Sequence, residues 1–446
     1  MQIVADLHLH SKYSRAVSPE MVLPIMAQWA EKKGIDLLTT ADWTHPLWLK
    51  EIETQLEEAG EGVYKLKNQN AKLKTRFILT TEIANIFTQG GKGRRIHTLF
   101  FAPNFATVHK INEAIVRRGG NLMSDGRPIL GLSLEQMCEL VWEVDEKVLV
   151  VPAHVWTPYF AVFGSKSGFD SIEECFGKYA DRIYSVETGL SSDVLMNWKI
   201  KDLDSRSIIS NSDSHSPRKM GREATVFELS GDKLSFSDIA GALKQEKAGR
   251  CRISYTIEFH PEEGKYHYTG HRACGVVQSP EETRVKGTTC HVCGRQLTVG
   301  VEHRVDELAD AKRKTQNAKR KINQETGVVG YYHWQDNSRP PYVMLVPLAE
   351  IIAEAFNTGT ASKKVEELYE IMVQNLGSEL DILLKVKAEA IEKIGGSKVA
   401  EGIRLVRSGK IVVQPGYDGE FGVVKIWPFP NAENQVQLQS EQTSLF

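Results

Sequence analysis

The stretch Asp6–His10, with the sequence Asp-Leu-His-Leu-His, directly follows the apolar run Ile3–Ala5 near the start of the chain. Side chains alternate between the two faces of a β-strand, so His8 and His10 point to the same side. Two imidazoles that face one space are a natural pair of metal ligands. The motif therefore predicts a metal site at the end of the first strand.

Further apolar runs in the first half of the chain have the length and the β-branched content of buried strands, with helix-like segments between them. This alternation predicts an α/β fold of parallel strands with helices outside, either an open sheet or a barrel. A barrel is favoured because polar residues follow the strands, as they do at a barrel mouth. The predicted strands are Ile35–Thr40, Arg76–Thr81, His97–Ala102, Val148–Pro152, Ile183–Val186 and Ser207–Ser210.

Histidine, aspartate or glutamate lies beside each of several predicted strands. A lone histidine is more often an ordinary polar residue than a ligand, but burying many ionisable groups together is costly unless cations neutralise them. Mixed imidazole and carboxylate sets suit zinc, manganese or iron, and a carboxylate can bridge two ions. The candidate metal ligands are His8, His10, Asp42, His45, Glu82, His97, His154, Asp213 and His215.

The chain has 446 residues, a formal net charge of -2, 41% hydrophobic residues and 25% charged residues. This length predicts two or three domains, and no stretch approaches the roughly 20 apolar residues of a membrane helix. The start of the chain reads as a strand rather than a signal peptide, which predicts a cytoplasmic protein. A near-neutral charge predicts that any attraction to nucleic acid is local, coming from bound metals and one basic segment.

Changes in composition divide the chain into four predicted parts. Residues 1–253 form the catalytic barrel, and residues 254–305 form a small zinc ribbon rich in glycine, histidine and cysteine. Residues 306–429 form a helical region with a C-terminal β-hairpin, in which Asp306–Lys321 is predicted as a charged helix. Residues 430–446 are polar and glutamine-rich, which is typical of a flexible tail.

The zinc prediction depends on two paired-ligand motifs, His271-x-x-Cys274 and Cys290-x-x-Cys293. Three thiolates and one imidazole at this spacing suit a closed tetrahedral zinc site, which has a structural role because no coordination position stays open. His267 or His303 could replace His271 as the fourth ligand.

A basic segment follows the predicted ribbon and has two readings. It could contact DNA phosphates, or it could be a solvated helix face. The aromatic run Tyr331–Trp334 likewise suits base stacking or core packing. The candidate DNA contacts are Lys312, Arg313, Lys314, Lys319, Arg320 and Lys321.

The runs Asp6–Ser11 and Ser212–His215 resemble the opening and closing motifs of the PHP family, which is named for its polymerase and histidinol-phosphatase members. The resemblance implies a distorted seven-stranded (β/α) barrel with a trinuclear metal site and phosphoester hydrolysis, with Asp213, Glu82 and His8 as catalytic residues. The first metal would be held by His8, His10, Glu82 and Asp213, the second by Glu82, His97 and His154, and the third by His215 with His45 or Asp42.

Nearly the whole chain resembles the endonuclease Q family of DNA-repair enzymes. The resemblance is carried by the runs Thr40–Pro46, Val186–Asp193, Asn211–His215, Gly264–Tyr268 and Pro415–Gly419. It implies hydrolysis of the phosphodiester 5′ of a deaminated base (uracil, hypoxanthine or xanthine) or an abasic site, in double-stranded or single-stranded DNA. Zinc is the expected ion of the ribbon and the barrel, with Mg²⁺ or Mn²⁺ as alternatives for catalysis.

An enzyme of this kind takes the damaged base out of the stack and reads its edge in a pocket. Deamination replaces an amine donor with a carbonyl acceptor, so the pocket should present hydrogen-bond donors. The amide of Asn211 and the hydroxyl of Ser191 are the candidate donors. The alternative for both is a hydrogen bond that caps a loop.

The last residues resemble the bacterial sliding-clamp binding motif, with Gln442, Leu445 and Phe446 as the anchoring side chains. This implies a bacterial, nucleoid-associated protein recruited to replicating DNA. Two alternative functions stay open: a PHP-type phosphatase of small phosphate monoesters such as histidinol phosphate, and a non-catalytic, clamp-tethered DNA-binding protein. The ribbon and the basic segment count against the first, and the nearly complete ligand set counts against the second.

Overall fold

The computed structural model describes residues 1–67 and 73–428. The predicted tail and its clamp-binding residues Gln442, Leu445 and Phe446 lie outside the described residues. Within them, strands and helices are mixed along the whole chain, and one large sheet runs through the molecule. The α/β fold class is therefore confirmed.

The strands are β1 (Gln2–Asp6), β2 (Leu37–Thr39), β3 (Leu56–Gly60), β4 (Val63–Leu66), β5 (Arg76–Gln89), β6 (Lys92–Ala102), β7 (Ile129–Leu130), β8 (Leu149–Pro152), β9 (Ser185–Glu187), β10 (Ser207–Ile209), β11 (Ala224–Leu229), β12 (Cys251–Glu258), β13 (Thr269–His271), β14 (Val276–Gln278), β15 (Lys319–Ile322), β16 (Val329–Tyr332), β17 (Tyr342–Met344), β18 (Val412–Gln414) and β19 (Val423–Lys425). The helices are α1 (Leu23–Lys33), α2 (Pro46–Gln55), α3 (Phe105–Arg117), α4 (Leu134–Val144), α5 (Ile172–Phe176), α6 (Val194–Trp198), α7 (Phe236–Leu243), α8 (Pro280–Lys286), α9 (Val301–Leu308), α10 (Leu348–Ala355), α11 (Lys363–Leu376), α12 (Glu379–Leu384), α13 (Ala388–Gly395) and α14 (Ser397–Ser408).

The predicted strands of the first half are present, but they are not all parallel. β1, β2 and β5 pair in parallel, as do β9 and β10. β5 pairs antiparallel with β6 over a long ladder, and β6 pairs antiparallel with β8. The connection from β5 to β6 is Gly90-Gly91, which is far too short for the crossover that a parallel pair needs. The expectation of parallel strands throughout was therefore wrong at β6.

The polar segments that follow β1, β2 and β8 of the large sheet meet the segment that follows β10, which pairs with β9 in a separate two-stranded sheet. An isolated parallel bridge joins Leu9 to Ser214, and the amide of His10 donates to the Ser214 carbonyl at 3.3 Å. This contact brings the segment after β10 against the segment after β1. Residues more than 200 positions apart in sequence are thus neighbours beyond the ends of β1 and β10.

The C-terminal helices α10 to α14 have their own apolar core, with Ile351, Met372 and Ile403 fully buried in it. This core also contains Val226 of β11 and Ile257 of β12. The helices therefore pack on one face of the large sheet. Among the described residues, no helix combines the length and the apolar character that a membrane crossing requires.

The predicted charged helix Asp306–Lys321 is wrong. Helix α9 ends at Leu308, Lys312–Lys314 lie in a turn, and Lys319–Lys321 lie in β15, which pairs antiparallel with β16. The side chain of Asn323 accepts hydrogen bonds from the backbone amides of Glu325 and Thr326, which forms the turn between the two strands. The hairpin outweighs the helical propensity of the lysines because β16 supplies aromatic and β-branched partners.

The chain from Glu379 to Gly395 forms two short helices, α12 and α13, rather than one. The guanidinium of Arg407 donates to the backbone carbonyls of Ile382, Leu383 and Val386 at 2.6 to 2.8 Å. Arg407 is 3% exposed, so this cation satisfies carbonyls at the end of α12 inside the protein. At the C-terminus, β18 pairs antiparallel with β19.

Candidate metal centre

The first two predicted ligands, His8 and His10, lie just beyond β1 and are buried. Glu82 and His97 come from the paired strands β5 and β6, where Glu82 faces Leu99 and His97 faces Ala84. His154 follows β8, while Asp213 and His215 follow β10. Five segments of the chain therefore deliver their polar side chains to one place.

The ligand atoms form three overlapping groups, in each of which all atoms lie within 4.8 Å of one another. Oε1 of Glu82 is 2.9 Å from Nδ1 of His97 and 3.2 Å from Nε2 of His154. Glu82 and His10 each belong to two groups, so the three form one continuous centre. The groups are His8, His10 and Glu82; Glu82, His97 and His154; and His10, Asp213 and His215.

The orientation of His8 fits a bound cation. Its Nδ1 lies 3.0 Å from Oε2 of Glu187, while its Nε2 is buried without a hydrogen-bond partner. This Nε2 is 3.6 Å from carboxylate oxygens of both Glu82 and Asp213. If Glu187 accepts the Nδ1 proton, the lone pair of Nε2 faces two carboxylates, an arrangement that a shared cation stabilises. Nitrogen and oxygen donors of this kind suit zinc, manganese or iron.

Charge, rather than burial, sets the protonation of the central carboxylate. Burial by itself would raise the pKa of Glu82, but His97, Arg127 and His8 hold that pKa well below its ordinary value. Asp213 behaves in the same way, with His8 and His10 lowering its pKa against the effect of burial. Both carboxylates are therefore ionised over the range in which proteins work, which is the state that binds cations.

Glu187 is a site residue that the sequence analysis missed. It ends β9 and is fully buried. Besides contacting His8, its carboxylate accepts from the backbone amide of His154 at 2.8 Å and from Nδ2 of Asn211 at 2.9 Å. The signal was present, because an acidic residue at the end of a buried strand must have partners. Glu187 was missed because its carboxylate contacts two predicted metal-binding residues, His8 and His154, and lies outside the groups that could hold a metal ion.

Asp42 and His45, predicted as metal ligands, lie outside the three ligand groups found among the described residues. Asp42 lies behind His10: its Oδ1 is 3.2 Å from His10 Nδ1, and its Oδ2 accepts from the Ser14 hydroxyl at 2.8 Å. The ring of His45 stacks on Tyr13 with centroids 4.4 Å apart. The geometry therefore gives Asp42 the task of orienting His10, because the turn after β2 sends its carboxylate to the Nδ1 side of the ring.

Three residues in and around this centre have a strained backbone. Asp42, His154 and Asp213 have φ values of 41°, 29° and 45°, in the left-handed region. Such a conformation costs a non-glycine residue of order 1 to 3 kcal/mol and persists only where the surroundings enforce it. Here the network of buried hydrogen bonds supplies that constraint.

Comparison with known proteins gives two solved structures that align over nearly the full chain. One is the lesion-specific endonuclease PfuEndoQ from Pyrococcus furiosus, with a TM-score of 0.79, 30% identity, and 99% of each chain covered. The other is endonuclease Q bound to a 27-mer duplex with an abasic lesion at the active site, with a TM-score of 0.79 and 31% identity over 97% of this chain and all of that chain. The chain belongs to the endonuclease Q family.

Sequence comparison adds relatives without an assigned function. The uncharacterized protein YqxK of Bacillus subtilis is 29% identical over 95% of this chain and 99% of its own. The uncharacterized protein MJ0043 of Methanocaldococcus jannaschii is 33% identical over 61% of this chain, a match that spans only 31% of that longer protein. A family model described as the MJ0043 C-terminal domain matches residues 347–410, which correspond to α10 to α14.

The second cluster of this endonuclease Q family member is formed by His271, Cys274, Cys290 and Cys293, whose ligand atoms also lie within 4.8 Å of one another. Nδ1 of His271 is 3.5 Å from Sγ of Cys293. His267 and His303 were alternatives to His271, but they point to Glu302 and Glu307 instead. The geometry thus selects His271 as the fourth member of the cluster.

Of the two candidate base readers, Asn211 is engaged inside the protein. Its side chain is fully buried, accepts from the amide of Leu7 at 2.8 Å and donates to Glu187. This is the loop-capping alternative, in which Asn211 ties β1 to the loop after β10. Ser191 is partly exposed in the loop after β9.

The candidate DNA contacts divide into two sets. Arg313 forms two hydrogen bonds of 2.7 Å with the carboxylate of Asp204, and Nζ of Lys314 lies 3.8 Å from Asp306, so both are paired within the protein. Lys312 is exposed, and Lys319, Arg320 and Lys321 form the exposed edge strand β15. The basic surface of this endonuclease Q family member is therefore an edge strand and not a helix face.

The aromatic run next to that strand is packed within the protein. Tyr331 stacks on Tyr342 with ring centroids 4.9 Å apart, and His333 stacks on Trp334 at 4.0 Å. Nζ of Lys321 lies 4.3 Å from the ring centre of Tyr332. His333 is buried in this packing, whereas Tyr331, Tyr332 and Trp334 stay partly exposed.

Proposed function

We propose that this protein is a metal-dependent DNA-repair endonuclease that hydrolyses the phosphodiester 5′ of a deaminated base (uracil, hypoxanthine or xanthine) or of an abasic site. The observation that carries the proposal is the continuous centre of three ligand groups that meet at Glu82 and His10. The full-length similarity to endonuclease Q, one structure of which holds an abasic duplex, supports DNA as the substrate.

We assign the centre to a distorted (β/α)7 PHP barrel formed by residues 1–253, with Asp213, Glu82 and His8 as its catalytic residues. Bound divalent cations would supply the charge that activates a water molecule and neutralises the phosphate oxygens. Hydrolysis forms a bond from the water oxygen to phosphorus and breaks the bond from phosphorus to O3′. The products are a 3′-hydroxyl on the preceding nucleotide, which takes up a proton from the water, and a 5′-phosphate on the damaged nucleotide.

Two carboxylates behind the metal-binding histidines fix the orientation of their rings. Glu187 and Asp42 each face the Nδ1 of a histidine, which leaves the Nε2 of His8 and of His10 directed at Glu82 and Asp213. A fixed ring orientation lowers the reorganisation needed when a cation binds. The barrel ions would be zinc, with Mg²⁺ or Mn²⁺ as alternatives for catalysis.

Recognition of the lesion needs donors that meet a carbonyl oxygen. Ser191 supplies a partly exposed hydroxyl, and Asn211 would contribute either by a direct contact after rearrangement or by holding the loop that carries Asp213. An abasic site offers no base to read, so its recognition would depend on the ease of extruding the sugar. Ser191 is therefore the stronger candidate for discrimination between bases.

The remaining parts would hold DNA and recruit the enzyme. The zinc ribbon of residues 254–305 and the exposed residues Lys312, Lys319, Arg320 and Lys321 offer a surface for phosphates of the flanking duplex. The tail residues Gln442, Leu445 and Phe446 would bind the bacterial sliding clamp, which would bring the enzyme to replicating DNA in the nucleoid of the cytoplasm.

A nicking assay tests the proposal. The protein is incubated with Mn²⁺ or Mg²⁺ and with duplexes that carry one uracil, one hypoxanthine, one abasic site or no lesion. We expect a single nick 5′ of the lesion, and loss of that nick in Asp213→Asn. Hydrolysis of small phosphate monoesters without lesion-dependent nicking would instead favour the phosphatase, and DNA binding without any hydrolysis would favour the non-catalytic protein.

A further inference from the structure

Arg127, which neither metal cluster includes, has its guanidinium at the mouth of the centre. Nη1 of Arg127 donates to Oε2 of Glu82 at 3.0 Å. The Glu82 side chain has no exposed surface, whereas that of Arg127 is 24% exposed. The guanidinium therefore lies between the shared carboxylate of the centre and the solvent from which a substrate arrives.

The position of Arg127 is fixed by its neighbours on both sides. A Cβ atom on Gly126 would lie 2.4 Å from Oδ2 of Asp42, so only glycine allows the loop to approach so closely. On the other side, the carbonyl of Pro128 accepts from the amide of Ala84 at 3.0 Å, which attaches the loop to β5. The backbone that carries Arg127 is thus fixed on both sides, and the hydrogen bond to Glu82 directs its side chain to the centre.

The charge of Arg127 needs an anion once cations are bound. A guanidinium stays protonated in proteins, and divalent cations in the neighbouring ligand groups would repel it. An anion that contacts both the cations and the guanidinium removes this repulsion. The guanidinium has five N–H donors in a planar fork, which matches two oxygens of a phosphate. Its hydrogen bond to Glu82 uses one of those donors.

We infer that Arg127 binds a non-bridging oxygen of the scissile phosphodiester and so anchors the substrate phosphate at the metal centre. The inference rests on the proposed function and adds a phosphate-binding residue to it. The alternative is that Arg127 acts on Glu82 alone, as a positioning residue for the metal ligands. The two roles make different predictions for DNA binding. If Arg127 contacts the phosphate, the loss of affinity in an Arg127 variant depends on the charge of the scissile phosphate; if it acts on Glu82 alone, the loss does not.

A binding cycle, in which the wild type and the Arg127 variants are each measured on two duplexes, separates these roles. The affinity for an abasic duplex is measured in Ca²⁺, with cleavage monitored, and compared with that for the same duplex carrying a neutral methylphosphonate at the scissile position. We expect Arg127→Met to weaken binding of the ordinary duplex roughly 10- to 100-fold, in line with a lost hydrogen bond to a charged group. Binding of the methylphosphonate duplex should change much less, and Arg127→Lys should recover only part of the loss.

Arg117→Met is the matched control, because Arg117 is exposed at the end of α3, outside the centre. The bound Mn²⁺ per chain and the thermal unfolding temperature are measured for every variant. Arg127→Lys keeps the charge and carries the test if Arg127→Met unfolds. Equal losses on both duplexes, or a loss of bound Mn²⁺, would overturn the inference and assign Arg127 to Glu82.

The two proposals can fail independently. If the wild-type protein nicks abasic DNA but the Arg127 variants bind and nick like the wild type, only the role of Arg127 is rejected. If the wild-type protein binds lesion DNA without nicking it, the endonuclease activity is rejected, whereas dependence of binding on the scissile phosphate would still be measured by the cycle.

Discussion

Nζ of Lys33 lies 2.7 Å from Oε2 of Glu379, and both side chains are buried. Lys33 ends α1, which follows the His8–His10 segment, and Glu379 begins α12 of the C-terminal helices. The hydroxyl of Tyr369 also donates to Glu379 at 2.8 Å. This buried ion pair joins the helices matched by the MJ0043 C-terminal model to the part of the chain that holds the metal centre.

Because the ion pair is buried, we expect the removal of Lys33 alone to destabilise the protein more than the removal of both charges. Lys33→Met should destabilise the protein by about 3 to 5 kcal/mol because it leaves Glu379 buried without its cation. The double variant Lys33→Met, Glu379→Gln should recover much of that loss. Thermal and urea unfolding measure both effects. The neighbouring pair of Lys32 and Glu370 is partly exposed, so Lys32→Met should cost less than about 1 kcal/mol. Equal effects of the two single variants would contradict the prediction.

Removing the orienting group of a ligand should lower metal affinity without removing a ligand. Glu187→Gln keeps the size of a side chain that contacts His8 Nδ1 and the His154 amide, but it removes the charge. We expect barrel metal affinity to fall about 10- to 100-fold. Metal content after equilibrium dialysis checks this. Glu51→Gln, at a partly exposed carboxylate that pairs with Lys12, should retain the wild-type content. Unchanged content in Glu187→Gln would show that the hydrogen bond to His8 does not tune the centre.

The ribbon cluster should hold one zinc ion independently of the barrel. Cys293→Ala removes one of the four ligands, so the variant should lose one zinc equivalent and keep its barrel metals. Elemental analysis and limited proteolysis across residues 254–305 measure the loss of metal and of local order. Cys251→Ala is the control, because Cys251 is buried in β12, apart from the cluster. A full zinc content in Cys293→Ala would exclude this cluster as the zinc site.

The sequence predicted the elements whose signal is local. Alternation predicted that His8 and His10 face one space, and both belong to one ligand group although they lie just beyond the end of β1. Paired spacing predicted the cluster of His271, Cys274, Cys290 and Cys293. The role of Asp42 was not predictable, because it depends on which atom of His10 the carboxylate meets. Arg127 was missed for a related reason: it precedes the two-residue strand β7 and reaches Glu82 only through tertiary packing.

The basic segment shows where local propensity misleads. Lysine-rich stretches favour helices, and Asp306–Lys321 carried no glycine or proline to end one. The hairpin of β15 and β16 arises because a turn at Asn323 returns the chain along strand residues that pair with β17. Sheet pairing of this kind is a non-local contact, which a window of sequence does not contain.

A buried carboxylate outside the metal centre predicts how stability depends on pH. Glu258 is fully buried at the end of β12, where the hydroxyls of Ser210 and Thr256 donate to it. Burial raises the pKa of Glu258 from an ordinary 4.5 to about 7, against the lowering effect of those two hydrogen bonds. Between these values the folded state binds the proton more tightly than the unfolded state. The contribution of Glu258 to stability therefore falls as the pH rises from 4.5 to 7, and is constant above that.

Glu258→Gln removes the titration and keeps the shape of the side chain. We expect the variant to gain stability over the wild type as the pH rises from 5 to 8, because only the wild type loses the contribution of the protonated Glu258 carboxyl. The difference in unfolding free energy between variant and wild type, measured across this range, isolates Glu258 from the titration of the metal ligands. Glu228→Gln, at an exposed carboxylate of β11, should show no such trend. A difference that stays constant with pH would mean that Glu258 is ionised throughout, and that a cation outside the described contacts compensates its burial.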